Sequence, residues 1–229
     1  MTSEQATEKT IHTMRPEGRP FVLTQASGQV LELQIMDAAG ESFTTFEGTE
    51  ELTYVNSART MIFVLDPLAL PRVREDTGGA PHVEDTLVAT GNQEAAYASV
   101  VDRLRSEAID LSKRNLAVVL TKTEILRNFP SGKNLDPTTT DGVRDWLNGV
   151  DQDGFVRRME GDFGTVRYFA VDSLALREPD DPLNPLRVMN WALTSQKVPI
   201  ALVSSEGKPG PEAADTSKFV DADEKASVS

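Results

Sequence analysis

Residues 116–124, Leu-Ala-Val-Val-Leu-Thr-Lys-Thr-Glu, run from an unbroken apolar segment directly into polar residues. An apolar run without alternation marks a strand covered on both faces, the habit of a parallel sheet. Thr60-Met-Ile-Phe-Val-Leu-Asp66, ended by Pro67, and Val166-Arg-Tyr-Phe-Ala-Val171 are further runs of the same kind. Between them, residues 93–113 place Tyr97, Val100, Val101, Leu104, Ala108 and Leu111 on one helical face. A weaker helix over residues 140–150 groups Val143, Trp146, Leu147 and Val150. Asn184-Pro185 reads as a cap followed by proline at the first helical position, opening a helix to about Lys197. Upstream, Phe21–Thr24 and Val30–Met36 form two short strands around Ala26-Ser27-Gly28, a hairpin. Residues 43–58 read as irregular structure leading into a helix, and residues 71–91, with prolines and Gly78-Gly79, as a long loop. Apolar strands alternating with amphipathic helices predict an α/β fold: a doubly wound, mostly parallel sheet with an antiparallel hairpin at one edge.

The chain has 229 residues, enough for one sizeable core. Residues 1–19 are expected to be flexible, residues 20–200 to form the α/β domain, and residues 201–229, rich in Gly, Pro, Ala, Ser, Asp and Glu, to form a disordered acidic tail. Thirty-six acids against 23 bases leave a net charge of −13, which argues against a nucleic-acid binder. No apolar run is long enough to span a membrane, and the polar N-terminal residues lack a signal-peptide centre, so a cytoplasmic location is expected. Without cysteine there is neither a disulfide nor a thiolate site. His12 and His82 stand in loop-like context and read as surface residues.

In a doubly wound sheet, ligands bind at the carboxyl ends of the strands. Three ends carry interpretable residues. The strand closing at Met36 is followed by Asp37-Ala-Ala-Gly40-Glu41, a carboxylate and then a glycine whose missing Cβ lets backbone approach a ligand closely. The second end is Thr121-Lys122-Thr123-Glu124, and the third is Asp172-Ser173-Leu174-Ala175. The second resembles the guanine-recognition box of GTPases, Asn/Thr-Lys-x-Asp. A carboxylate there accepts hydrogen bonds from guanine N1 and N2, which adenine cannot donate, while the lysine stem lies along the base. Glu124 stands in the Asp place, one methylene longer. The plainer reading is a solvated helix start with glutamate in its first turn. Ser173 resembles the serine of the box whose backbone meets the guanine; a simple strand-to-helix turn accounts for it equally well.

Taken in order, Asp-Ala-Ala-Gly-Glu-Ser-Phe, Ile-Phe-Val-Leu-Asp-Pro-Leu and Ala-Val-Val-Leu-Thr-Lys-Thr-Glu resemble the bacterial double-GTPase family, Ras-like domains associated with signalling or conflict systems. The resemblance implies a GTPase-like three-layer sandwich binding GTP or GDP with Mg²⁺. It makes Asp37 a water-mediated Mg²⁺ contact and Gly40 the γ-phosphate amide. Thr121, Lys122, Glu124 and Ser173 then surround the base. Glu41 occupies the place of the catalytic glutamine, where a carboxylate beside a polyphosphate is poorly suited to orient water, so hydrolysis is expected to be slow.

The phosphate loop Gly-x-x-x-x-Gly-Lys-[Ser/Thr] is absent from these residues. Pro130-Ser-Gly-Lys-Asn134 has a passing likeness but lacks the leading glycine and a preceding strand. In the fold implied by the resemblance, the strand before that loop lies between those bearing Asp37 and Asp66, so its loss leaves unpaired backbone groups. An upstream segment or a protein partner is expected to supply strand and loop. The competing readings are a pseudo-GTPase interaction module without nucleotide, and an unrelated doubly wound domain; the Asp-x-Ser-x-Ser metal motif that one such domain carries is absent.

Overall fold

The computed structural model describes residues 17–24, 30–37, 53–78, 88–89, 91–172 and 177–197. The expected tail at 201–229 and both histidines lie outside them. Strands β1 (Glu17–Thr24) and β2 (Val30–Asp37) pair antiparallel with Leu23 opposite Leu31 and Glu17 opposite Asp37, so the first strand begins inside the segment expected to be flexible. They form a two-stranded sheet of their own. Strands β3 (Thr60–Leu65), β4 (Asn115–Leu120) and β5 (Thr165–Ala170) form a parallel sheet in that order. The chain is therefore α/β, with a parallel sheet and an antiparallel pair, as the apolar runs predicted.

The register lines Phe63 with Val118 and Tyr168, and Leu65 with Leu120 and Ala170. These face the main core with α1 (Pro71–Thr77), α2 (Gln93–Ser106), α4 (Thr140–Gly149) and α5 (Asp153–Asp162), through Val73, Val101, Leu104, Val143, Leu147 and Met159. Phe63, Tyr97 and Phe155 meet edge to face with ring centres 5.2–5.8 Å apart. On the opposite face, Ala117, Val119, Phe169 and Val171 pack on Val188 and Trp191 of α6 (Leu186–Ser195). That cover stops short of β3: Ile62 and Val64, in register with Ala117 and Val119, stay 44% and 57% exposed.

Two expectations about the extent of elements need correction. The helix over 93–113 ends at Ser106: Ala108 turns left-handed at φ 56° and Ile109 N–H donates to the Leu104 carbonyl, closing the helix without a glycine. Leu111 is buried by a separate turn that Asp110 caps, which is why its periodicity continued. The loop over 71–91 contains α1, whose Pro71 sits in the first helical turn, where its missing N–H costs nothing. The segment Pro130–Gly132, already set aside as a phosphate loop, is a 3-10 turn whose Ser131 carbonyl accepts from Trp146 Nε1 at 2.6 Å. At the last helix Pro185, expected at the first helical position, stands at the N-cap instead, and Asn184 Oδ1, one residue before it, accepts from Leu186 N–H at 2.9 Å.

Gly164 joins α5 to β5 with its backbone pressed against the turn before β4; a Cβ there would lie 1.9 Å from the Ser112 carbonyl oxygen. Gly161, in α5, would meet nothing within 4 Å. Gly164→Ala should therefore lower stability by about 1–3 kcal/mol, whereas Gly161→Ala should raise it by about 0.5–1 kcal/mol. Urea denaturation of the two variants beside the parent chain tests the pair.

Candidate functional site

All three parallel strands break into polar residues at the same end of the sheet: Leu65 into Asp66, Leu120 into Thr121 and Lys122, Val171 into Asp172. Asp66 is buried, and both oxygens of its carboxylate are engaged. Oδ1 accepts from Leu68 N–H at 3.0 Å; Oδ2 accepts from Ala89 N–H at 2.9 Å and from Lys122 Nζ at 2.6 Å. Its backbone exchanges two bonds with the Gln93 side chain at the start of α2, at 2.6 and 3.1 Å. Asp66 thus ties the end of β3 to the following turn, to α2 and to β4.

Lys122 reaches Asp66 because its backbone is left-handed, φ 53° and ψ 28°, immediately before the short helix α3 (Thr123–Leu126). That conformation costs a residue with a Cβ roughly 1–2 kcal/mol and persists here where the ion pair and the Thr121 N–H···O=C Leu65 bond of 3.1 Å hold it. Thr123 is buried beneath the turn, its hydroxyl donating to the Leu120 carbonyl at 3.4 Å. Glu124, two residues beyond the lysine, has its side chain 64% exposed.

The Glu124 carboxylate has a partner that the motif does not announce. Arg177 Nη2 lies 2.7 Å from Glu124 Oε2 and 2.8 Å from Asp172 Oδ2, while its Nη1 lies 3.0 Å from Asp181 Oδ2. One guanidinium therefore joins three carboxylates. Asp172, almost entirely buried, is the inner member. The nearness of the Asp172 carboxyl pushes the Glu124 carboxyl above its ordinary range, against the opposing pull of Arg177. Asp181 is displaced the other way: burial acts to raise it, and the Leu183 N–H together with Arg177 outweigh that and hold it low.

Thr121, Lys122 and Glu124 stand in the turn that follows β4 and opens α3. Asp37 is the last residue of β2; its side chain, like Gly40, Glu41 and Ser173, lies outside the described residues. Among the described residues no cluster of three or more histidines or carboxylates is arranged to hold a metal, and no helix is long and apolar enough to cross a membrane. Sequence reasoning named Asp66 and Asp172 at strand ends without giving them a role, and missed Gln93 and Arg177. The acids at the ends of β3 and β5 were detectable, since each follows a buried run at the same sheet end; Arg177 had no such signal.

A parallel sheet with a Thr-Lys-x-Glu turn at the end of its central strand, and helices on both faces, is consistent with a GTPase-like sandwich. Residues 2–180 match the family model described as Double-GTPase 2, and the chain belongs to that double-GTPase family. Neither the curated proteins nor the solved structures gave a match.

Replacing Lys122 separates backbone strain from the ion pair. Both Lys122→Ala and Lys122→Gly remove the ammonium from Asp66, but only glycine relaxes the left-handed turn. The alanine variant should be the less stable by about 1 kcal/mol, read as a difference in urea midpoint at unchanged slope.

Proposed function

We propose that this chain is a GTP-binding regulatory domain in which the described residues form the guanine-recognition half of the nucleotide site. The observation that carries the reading is the turn after β4. It offers a solvent-facing carboxylate, Glu124, beside a lysine stem anchored at its far end by Asp66. These residues fit a guanine base: the carboxylate matches the N1–H and N2–H donors, and the pinned stem gives the ring a fixed surface. Ser173 would add a backbone contact. Nucleotide, when bound, would bring Mg²⁺, for which Asp37 is the expected outer ligand and Gly40 the phosphate contact. With Glu41 in the glutamine's place, slow hydrolysis is the expectation.

The phosphate-binding half is proposed to come from an upstream segment or a protein partner. Two features support this. The break between the two sheets falls between β2 and β3, where the resemblance puts the strand that leads into a phosphate loop. And β3 has no second strand neighbour among the described residues, with Ile62 and Val64 bare beside that edge. A parallel strand followed by a helix would pair the edge and cover both side chains. A bacterial signalling or conflict system is the setting the family resemblance favours. A second reading, a pseudo-GTPase kept for protein contacts, is favoured by the missing phosphate loop and by the engagement of Glu124 with Arg177.

Titration of the chain with fluorescent GDP, GTP and ATP in the presence of Mg²⁺ tests the reading. Weak binding that prefers guanine over adenine by about 10-fold or more and disappears in Glu124→Ala is expected. Equal affinity for the two bases, or none at millimolar nucleotide, would favour the interaction module.

A further inference from the structure

We infer that Arg177 is a positioning residue for Glu124, its guanidinium fixing the carboxylate as an acceptor for the guanine edge. The inference rests on the guanine-binding reading, and its physical core is independent of nucleotide.

The geometry separates a fixed partner from a movable one. Arg177 is only 14% exposed and is bonded to Asp172 and Asp181 as well as to Glu124. The loop that carries it is tied to itself and to the sheet: Asn184 Nδ2 donates to the carbonyls of Arg177 and Glu178 at 3.2 and 2.9 Å, Asp181 Oδ1 accepts from Leu183 N–H at 2.7 Å, and Asp172 N–H donates to the Leu183 carbonyl at 2.9 Å. Glu124 instead stands at the rim on the first turn of a four-residue helix. A glutamate at such a place has an extra rotatable bond compared with aspartate and loses more freedom when a ligand immobilises it. The contact with Arg177 restrains one oxygen, Oε2, in advance. Each carboxylate oxygen accepts more than one hydrogen bond, so Oε2 can hold the guanidinium and still face a ligand.

Charge gives the second half of the argument. The groups facing Glu124 are Asp172 at the end of β5 and Arg177 on the following loop, with Asp181 behind the guanidinium; Lys122 on its own turn is directed to Asp66. Proton and guanine compete for the same carboxylate. Guanine preference is therefore complete above the Glu124 pKa and is lost as pH falls through it. Asp172 moves that loss to higher pH and Arg177 moves it back. The contrary role is equally definite in chemical terms: a guanidinium presents the same paired N–H donors as the guanine edge, and as a competitor it would suppress binding.

The first test needs no nucleotide. The Glu124 side-chain carboxyl, assigned through its loss in Glu124→Gln, is titrated by ¹³C NMR in the full chain and in Arg177→Met, Arg177→Lys and Asp172→Asn. The midpoint should rise by about one unit or more in Arg177→Met, return most of the way in Arg177→Lys, and fall below the parent value in Asp172→Asn. Should Arg177→Met not fold, the lysine and asparagine variants still decide. A midpoint indifferent to Arg177 or to Asp172 overturns the inference. The second test measures GDP against ADP binding across pH: a reduced guanine preference in Arg177→Met, with its acid limb shifted upward, is expected, and a higher guanine affinity would identify a competitor and overturn it. If the parent chain binds neither nucleotide, it is the guanine-binding reading that fails, while the NMR midpoints still judge the contact.

Discussion

The buried carboxylate of Asp66 is the constraint on which the end of the sheet depends. Burying a charged oxygen pair is costly unless every lone pair finds a donor. Here two backbone N–H groups and one ammonium meet it. Each donor belongs to a different piece of chain, so satisfying one side chain fixes the turn after β3, the backbone at Ala89 and the lysine after β4. The lysine pays for its place with a left-handed backbone. Position, strain and charge at the turn after β4 therefore trace to Asp66, a residue outside the Thr-Lys-x-Glu motif.

A second property follows from topology. The connections from β3 to β4 and from β4 to β5 carry their helices to the same face, so the sheet grows in one direction, and among the described helices α6, after β5, lies on the other side. Doubly wound sheets place ligands where the direction of growth reverses. Among the described strands the parallel sheet ends at β3, and Asp66 and Lys122 lie at the polar end of that side. The polar turn and the uncovered apolar pair Ile62 and Val64 are thus two aspects of one position in the sheet.

Much of this was legible in the sequence, for reasons that differ by element. The parallel strands were visible because burial on both faces removes alternation, as in Leu116–Leu120. The hairpin was visible from two short apolar runs around a turn. Helix α1 was hidden because its leading proline, Pro71, resembles a loop signal until one asks where proline is tolerated. Helix α2 was read too long because Leu111 returns to the core by another route. Helix α5 went unread although Phe155, Val156 and Met159 are buried on one face. At the site, Lys122 and Glu124 were found through a local spacing. Arg177 was not, since its bond to Glu124 joins residues 53 positions apart and depends on how a loop folds over the strand ends.

The ring of acids at the strand ends has a consequence for kinetics. Asp66, Glu124, Asp172 and Asp181 outnumber Lys122 and Arg177 there, and the chain as a whole carries −13. A polyanion approaching this end meets a repulsive field that extends about 10 Å at 0.1 M ionic strength. Added salt shortens that field. Encounter with anionic ligands therefore speeds up as ionic strength rises, the reverse of what a basic cleft does, and a divalent counter-ion travelling with the ligand acts in the same sense.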